Sequence, residues 1–69
     1  MKKKAIKGKQ RDYIVRRFRG KLRRNGISIA EFARRNNIKE NVFYVRLYDA
    51  KRGLNGAVRD SMLNYIRES

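Results

Sequence analysis

The large apolar residues of this chain recur at helical spacing and nowhere alternate as they would along a strand. Ile14, Phe18 and Leu22 stand four apart, Phe43 and Leu47 do the same, and Val58, Met62, Leu63 and Ile66 share one helix face. Proline is absent, so nothing interrupts those periods from within. The pattern predicts an all-α fold: a compact bundle of four, or five, short helices containing a helix-turn-helix, with a flexible basic N-terminal arm. At 69 residues the chain suffices for one domain. A domain of that size buries only about 60% of its unfolded surface, which leaves no room for a deep substrate cleft. Residues 1–9 are expected to be a disordered arm and residues 10–69 the folded domain.

Charge narrows the function. Twenty Lys and Arg against six acids give a formal charge of +14. Folding does not require that excess and self-repulsion opposes it, so a polyanionic partner is the simplest reason to carry it. The chain has neither cysteine nor histidine, which excludes disulfides, a zinc finger and nucleophile–His catalysis. The six acids form no local metal or acid–base motif, so an enzyme is not expected, nor a cofactor. No apolar run follows the lysine-rich start or reaches the length of a membrane span. A cytoplasmic, nucleoid-associated location is therefore expected.

Helix boundaries can be read from the punctuation. The first helix is expected over residues 10–25, stopped by Asn25-Gly26, since Gly26 can take the left-handed conformation. Gly20 in its interior is expected to mark a close packing contact. Ser28-Ile29-Ala30-Glu31 fits a capping box, in which the Ser28 hydroxyl accepts from the Glu31 N–H and the Glu31 carboxylate reaches back. Ile27 is placed to staple onto Phe32. The second helix should end near Asn36-Asn37, because asparagine tolerates positive φ. Ile38 then plugs the turn, a third helix covers residues 40–49, and a fourth covers residues 57–67.

Residues 28–48 have the grammar of a helix-turn-helix. Ala33 is small where the next helix must cross closely, Ile38 and Phe43 point inward, and the two helices can then meet at about 90–120°. Asn37 stands where glycine is usual, and Arg46 stands where an apolar residue is usual.

The segment resembles the helix-turn-helix of lambda-repressor-like phage regulators. Its residues Ser28, Phe32-Ala33, Phe43-Tyr44 and Arg52-Gly53-Leu54-Asn55-Gly56 also resemble the small phage-associated DNA-binding proteins of Mu-like prophages. The similarity runs over about residues 25–66. It implies a repressor-like fold and a role in transcription of a mobile element, and it says nothing of the first 24 residues.

With the usual docking, the third helix enters the major groove of double-stranded DNA. Lys39, Glu40, Asn41, Tyr44, Val45 and Tyr48 then face outward as base-contact candidates. Asn41 suits adenine, Lys39 guanine, Glu40 cytosine and Val45 a thymine methyl. Tyr44 and Tyr48 can instead reach phosphates or sugars, or be ordinary half-buried core. For Glu40 the alternative role is offsetting the helix dipole. Phosphate-contact candidates are Ser28, Arg34, Arg35, Lys51, Arg52 and the backbone of Gly53 and Asn55, where glycine would let an anion approach closely. Lys2, Lys3, Lys4, Lys7 and Lys9 of the arm, with Arg16, Arg17, Arg23 and Arg24 of the first helix, are candidates for tracking the backbone.

The partner expected is duplex DNA, bound as a homodimer across a pseudo-palindrome, with no membrane and no small-molecule ligand. A DNA-bending, excisionase-like factor fits the same charge. RNA binding fits the run from Arg16 to Arg24, and an interfacial peptide fits a basic amphipathic first helix. The capped, interrupted helices favour a folded DNA-binding globule over the last two.

Overall fold

The helical periods and the punctuation between them build the architecture. In the computed structural model, which describes residues 5–49 and 51–68, four helices follow in order: α1 (Gly8–Asn25), α2 (Ile29–Arg35), α3 (Glu40–Tyr48) and α4 (Gly56–Arg67). Among the described residues there is no strand, only one antiparallel backbone pairing of Ile6 with Leu54. No described helix is long and apolar enough to cross a membrane.

The first two helix ends are built alike. After α1, Gly26 sits at φ 66°; its N–H donates to the Arg23 carbonyl at 3.2 Å, and the Ile27 N–H donates to Leu22 at 3.0 Å. After α2, Asn37 sits at φ 57°; its N–H donates to Arg34 at 3.1 Å, and the Ile38 N–H donates to Ala33 at 2.9 Å. Both are Schellman motifs, which satisfy the orphan carbonyls of a helix end and turn the chain sharply. In each, the isoleucine that follows packs onto the core. Asparagine thus does at position 37 what glycine does at 26.

At the start of α2, the Ser28 hydroxyl accepts from the Glu31 N–H at 3.0 Å, a cap worth about 1 kcal/mol. The return half of the expected box is not made. The Glu31 carboxylate instead faces Arg35, one turn along the same helix, at 3.6 Å.

Each helix contributes one ring to the centre. Phe18 of α1 lies edge-on to Phe32 of α2 at 4.8 Å between centroids, and both lie within 6 Å of Phe43 of α3 and Tyr65 of α4. Such pairs add about 0.5–1.5 kcal/mol beyond their buried area. Leu22, Ala33, Leu47, Leu54, Val58 and Met62 complete the buried core. One assignment on α4 is corrected. Leu63 is half-buried outside the core cluster, and Tyr65 packs against it instead. The amphipathic tyrosine reaches inward with its ring while its hydroxyl accepts from Asn25 at 2.6 Å.

Two basic residues of α1 stabilise other helices. The Arg11 guanidinium, 89% buried by its 11% side-chain exposure, donates to the Leu47 carbonyl in the last turn of α3. The Lys21 ammonium donates to the Tyr65 and Glu68 carbonyls at the end of α4 and lies 4.6 Å from the Tyr65 ring centroid. Cations at helix C-termini complement both the orphan carbonyls and the negative dipole end.

The N-terminal boundary also differs from expectation. Gly8 and Lys9 belong to α1, and Ile6 exchanges two 2.9 Å backbone hydrogen bonds with Leu54. An isolated Ile in a run of lysines gives no periodicity, so this anchor is invisible before folding. Lys2, Lys3 and Lys4, read above as arm cations, lie outside the described residues, as does Ala50. Gly20 does not mark a packing contact: it is exposed, and a Cβ placed on it would meet nothing within 4 Å.

Candidate nucleic-acid interface

The α2–turn–α3 unit is held by what is small and what is bent. Ala33 is fully buried, so α3 can pass close over α2, and Asn37 in the left-handed region redirects the chain between them. Phe43 and Leu47 are likewise fully buried and fix which side of α3 faces the core. Successive residues of a helix are about 100° apart, so Val45, two positions from Phe43, lies about 200° round the helix from it.

The opposite side of α3 is exposed along its length. Lys39, Glu40 and Asn41 are exposed at its start, and Val45 and Tyr48 are 62% and 54% exposed further along. Tyr44, at 37%, stacks on Tyr48 with nearly parallel rings 6.2 Å apart. Neither tyrosine is core. Val42, which the sequence did not single out, is 41% exposed and extends the same surface. Helical spacing alone places it outside: position 42 lies about 100° from Phe43 and about 140° from Leu47, the two buried residues of α3.

Two side chains here carry distinct polar states. The Asn41 carbonyl oxygen accepts from the Val42 N–H at 2.9 Å, which satisfies a first-turn donor that no N-cap side chain reaches. Glu40 is exposed in the first turn, where a carboxylate offsets the positive helix end.

Cations flank both ends of α3. Arg34 and Arg35 are exposed at the close of α2, Arg35 sharing Glu31. After α3, Lys51 and Arg52 are exposed in the loop. Asp49 organises that loop: its carboxylate accepts from the Arg52 N–H at 3.1 Å and pairs the Arg52 guanidinium at 3.6 Å. The guanidinium stays 72% exposed, so this pair is a weak, water-screened contact that leaves Arg52 free to engage a phosphate. Arg46 points its guanidinium toward the Asn55 amide oxygen at 3.4 Å, and Leu47 beside it takes the buried place.

One expectation about backbone contacts changes. Gly53 is not a phosphate cradle: it is buried, its N–H donates to the Asp49 carbonyl at 2.9 Å, and the Ile6 carbonyl covers the space a side chain would take. Its glycine serves the close approach of the N-terminal segment. Ser28 is exposed, and its hydroxyl accepts the cap bond of α2 while keeping its own proton to donate. Asn55 is half-buried and tied through its side chain to Arg46.

The arginines of α1 fall elsewhere. Phe18 and Phe43 face each other across the core with ring centroids 5.9 Å apart. Arg16 and Arg23 lie about 200° and 140° round α1 from Phe18, and both are exposed. They therefore point away from α3, as do Arg17 and Arg24 more obliquely. Lys7 and Lys9 are exposed at the start of the chain's described part. The chain matches no protein-family model, no curated protein and no solved structure.

Proposed function

We propose that this chain binds double-stranded DNA sequence-specifically, with α3 in the major groove, as a transcriptional regulator of phage or mobile-element type. The observation that carries the reading is the exposed outer face of α3, held proud of the core by Ala33, Asn37 and Phe43 and bracketed by Arg34, Lys51 and Arg52. A helix presented this way fits the groove, with its N-terminal residues on base edges and the flanking cations on phosphates. Lys39 and Asn41 are the side chains able to read purines, and Val45 the one able to meet a thymine methyl. Tyr44 and Tyr48 offer hydroxyls to phosphate oxygens from a stacked pair.

Selection of bound duplexes from a random pool tests this. A recovered motif, with half-sites about 10 base pairs apart if the bound form is a dimer, supports it. A pool that stays without consensus after repeated rounds overturns sequence-specific binding.

The apolar content of the same face favours a second reading, in which Val42, Val45 and Tyr48 join two copies of the chain. Sedimentation separates the two. A dimer without DNA that Val45→Arg dissociates supports the second reading, and a monomer supports the first.

A further inference from the structure

The outer face of α1 is a second strongly charged surface, turned away from α3. Lys9, Arg16, Arg17, Arg19, Arg23 and Arg24 all lie on the side of α1 away from Phe18 and are all exposed. From Lys9 to Arg24 the helix rises about 22 Å at 1.5 Å per residue. The acid within this stretch is Asp12, which pairs with Arg11 at 3.0 Å. Arg16, Arg19 and Arg23 border a shallow groove of about 450 Å³ whose floor includes Gly20.

This arrangement costs stability. Arg16 with Arg19 and Arg19 with Arg23 are like charges one turn apart, each pair destabilising by about 0.2–0.5 kcal/mol. Gly20 adds roughly 1 kcal/mol against alanine in the helix interior, and no packing accounts for it, since a Cβ there meets nothing. The molecule measures at least 22 Å across in every principal direction. That is about twice the Debye length at 0.1 M salt, so charges on opposite faces of the molecule are largely screened from each other. The apolar face of α1 is spent in the core, and Tyr13 is its one strongly exposed large apolar residue, which disfavours insertion into a bilayer.

We infer that the outer face of α1, from Lys9 to Arg24, binds the phosphate backbone of a second duplex, so that one copy of the chain bridges two DNA segments. The inference rests on the proposed DNA binding by α3. The second site is without base preference, because it offers guanidinium groups and an open glycine floor but no side chain set to enter a groove. Its affinity falls steeply with salt as counterions are released.

The test uses a bead-bound duplex carrying the selected site and a labelled duplex of unrelated sequence, with the full chain between them at about 100 mM salt. Wild type is expected to retain the labelled duplex on the bead. The R16Q/R19Q/R23Q variant is expected to bind the bead-bound duplex within about threefold of wild type and to lose at least tenfold of the captured label. The R16K/R19K/R23K variant, which keeps the charge, is expected to capture it. Bead binding without capture by wild type overturns the inference and leaves the α3 reading standing. Full capture by the glutamine variant also overturns it, by assigning bridging to a dimer. No binding to the bead-bound duplex overturns the α3 reading itself. A structured RNA that displaces the labelled duplex at a tenth of its nucleotide concentration overturns DNA as the second partner.

Discussion

Replacing Gly53 by alanine should destabilise the fold sharply, although the residue lies in a loop and looks interchangeable. Its φ of 74° is left-handed, where an L-residue costs about 1–2 kcal/mol. A Cβ there would stand 2.4 Å from the Ile6 carbonyl oxygen and 2.6 Å from the Lys7 Cγ. The lysine side chain can swing away. The carbonyl cannot, because Ile6 and Leu54 exchange two backbone hydrogen bonds at 2.9 Å. Losing both costs about 0.5–1.5 kcal/mol each, so the total is on the order of 2–5 kcal/mol. At about 4–8 °C per kcal/mol for a domain of this size, the melting temperature should fall by roughly 10 °C or more. Thermal and urea unfolding followed by circular dichroism measure this, and amide exchange at Leu54 reports the pairing itself. A Gly53→Ala variant within about 0.5 kcal/mol of wild type, with the Leu54 amide still protected, would refute the seating of the N-terminal segment on this glycine.

The same substitution at Gly20 should have the opposite sign: the Cβ enters open space in a regular helix, so Gly20→Ala should gain up to about 1 kcal/mol in urea unfolding. Ala33→Leu should lose about 1–3 kcal/mol or more by overpacking the fully buried crossing of α2 and α3; an unchanged unfolding midpoint would count against that crossing. Asn41→Ala should relax the base preference of the selected site at a cost of about 1–3 kcal/mol, whereas Arg52→Ala should weaken all duplexes alike and lower the salt slope by about one. Equilibrium binding to matched and mismatched duplexes at several salt concentrations distinguishes these two outcomes.

Local chemistry explains which features could be read from the chain. Ser28, Gly26 and Asn37 act on their own neighbours through caps and left-handed turns, so their roles were legible from position alone. Ala33, Ile38 and Phe43 were legible because a helix crossing needs a small residue and an apolar plug at fixed spacing. What stayed hidden depends on partners far along the chain. Ile6 and Leu54 meet across a separation of 48 residues with no repeat to announce either. Arg11 and Lys21 sit among arginines of the same helix, yet they lie near its inward edge and end up capping α3 and α4. The two informative glycines were read the wrong way round. Gly53, whose basic loop suggests a ligand, serves packing, while Gly20, whose place inside a helix suggests packing, lies open.

The central claim is that the outer face of α3 meets DNA. Amide chemical shifts recorded while a substoichiometric selected duplex is added test it most directly. The largest changes are expected at Lys39, Asn41, Val45 and Tyr48, with flanking changes at Arg34 and Arg52. Saturating duplex that leaves these amides unmoved while others shift would contradict it.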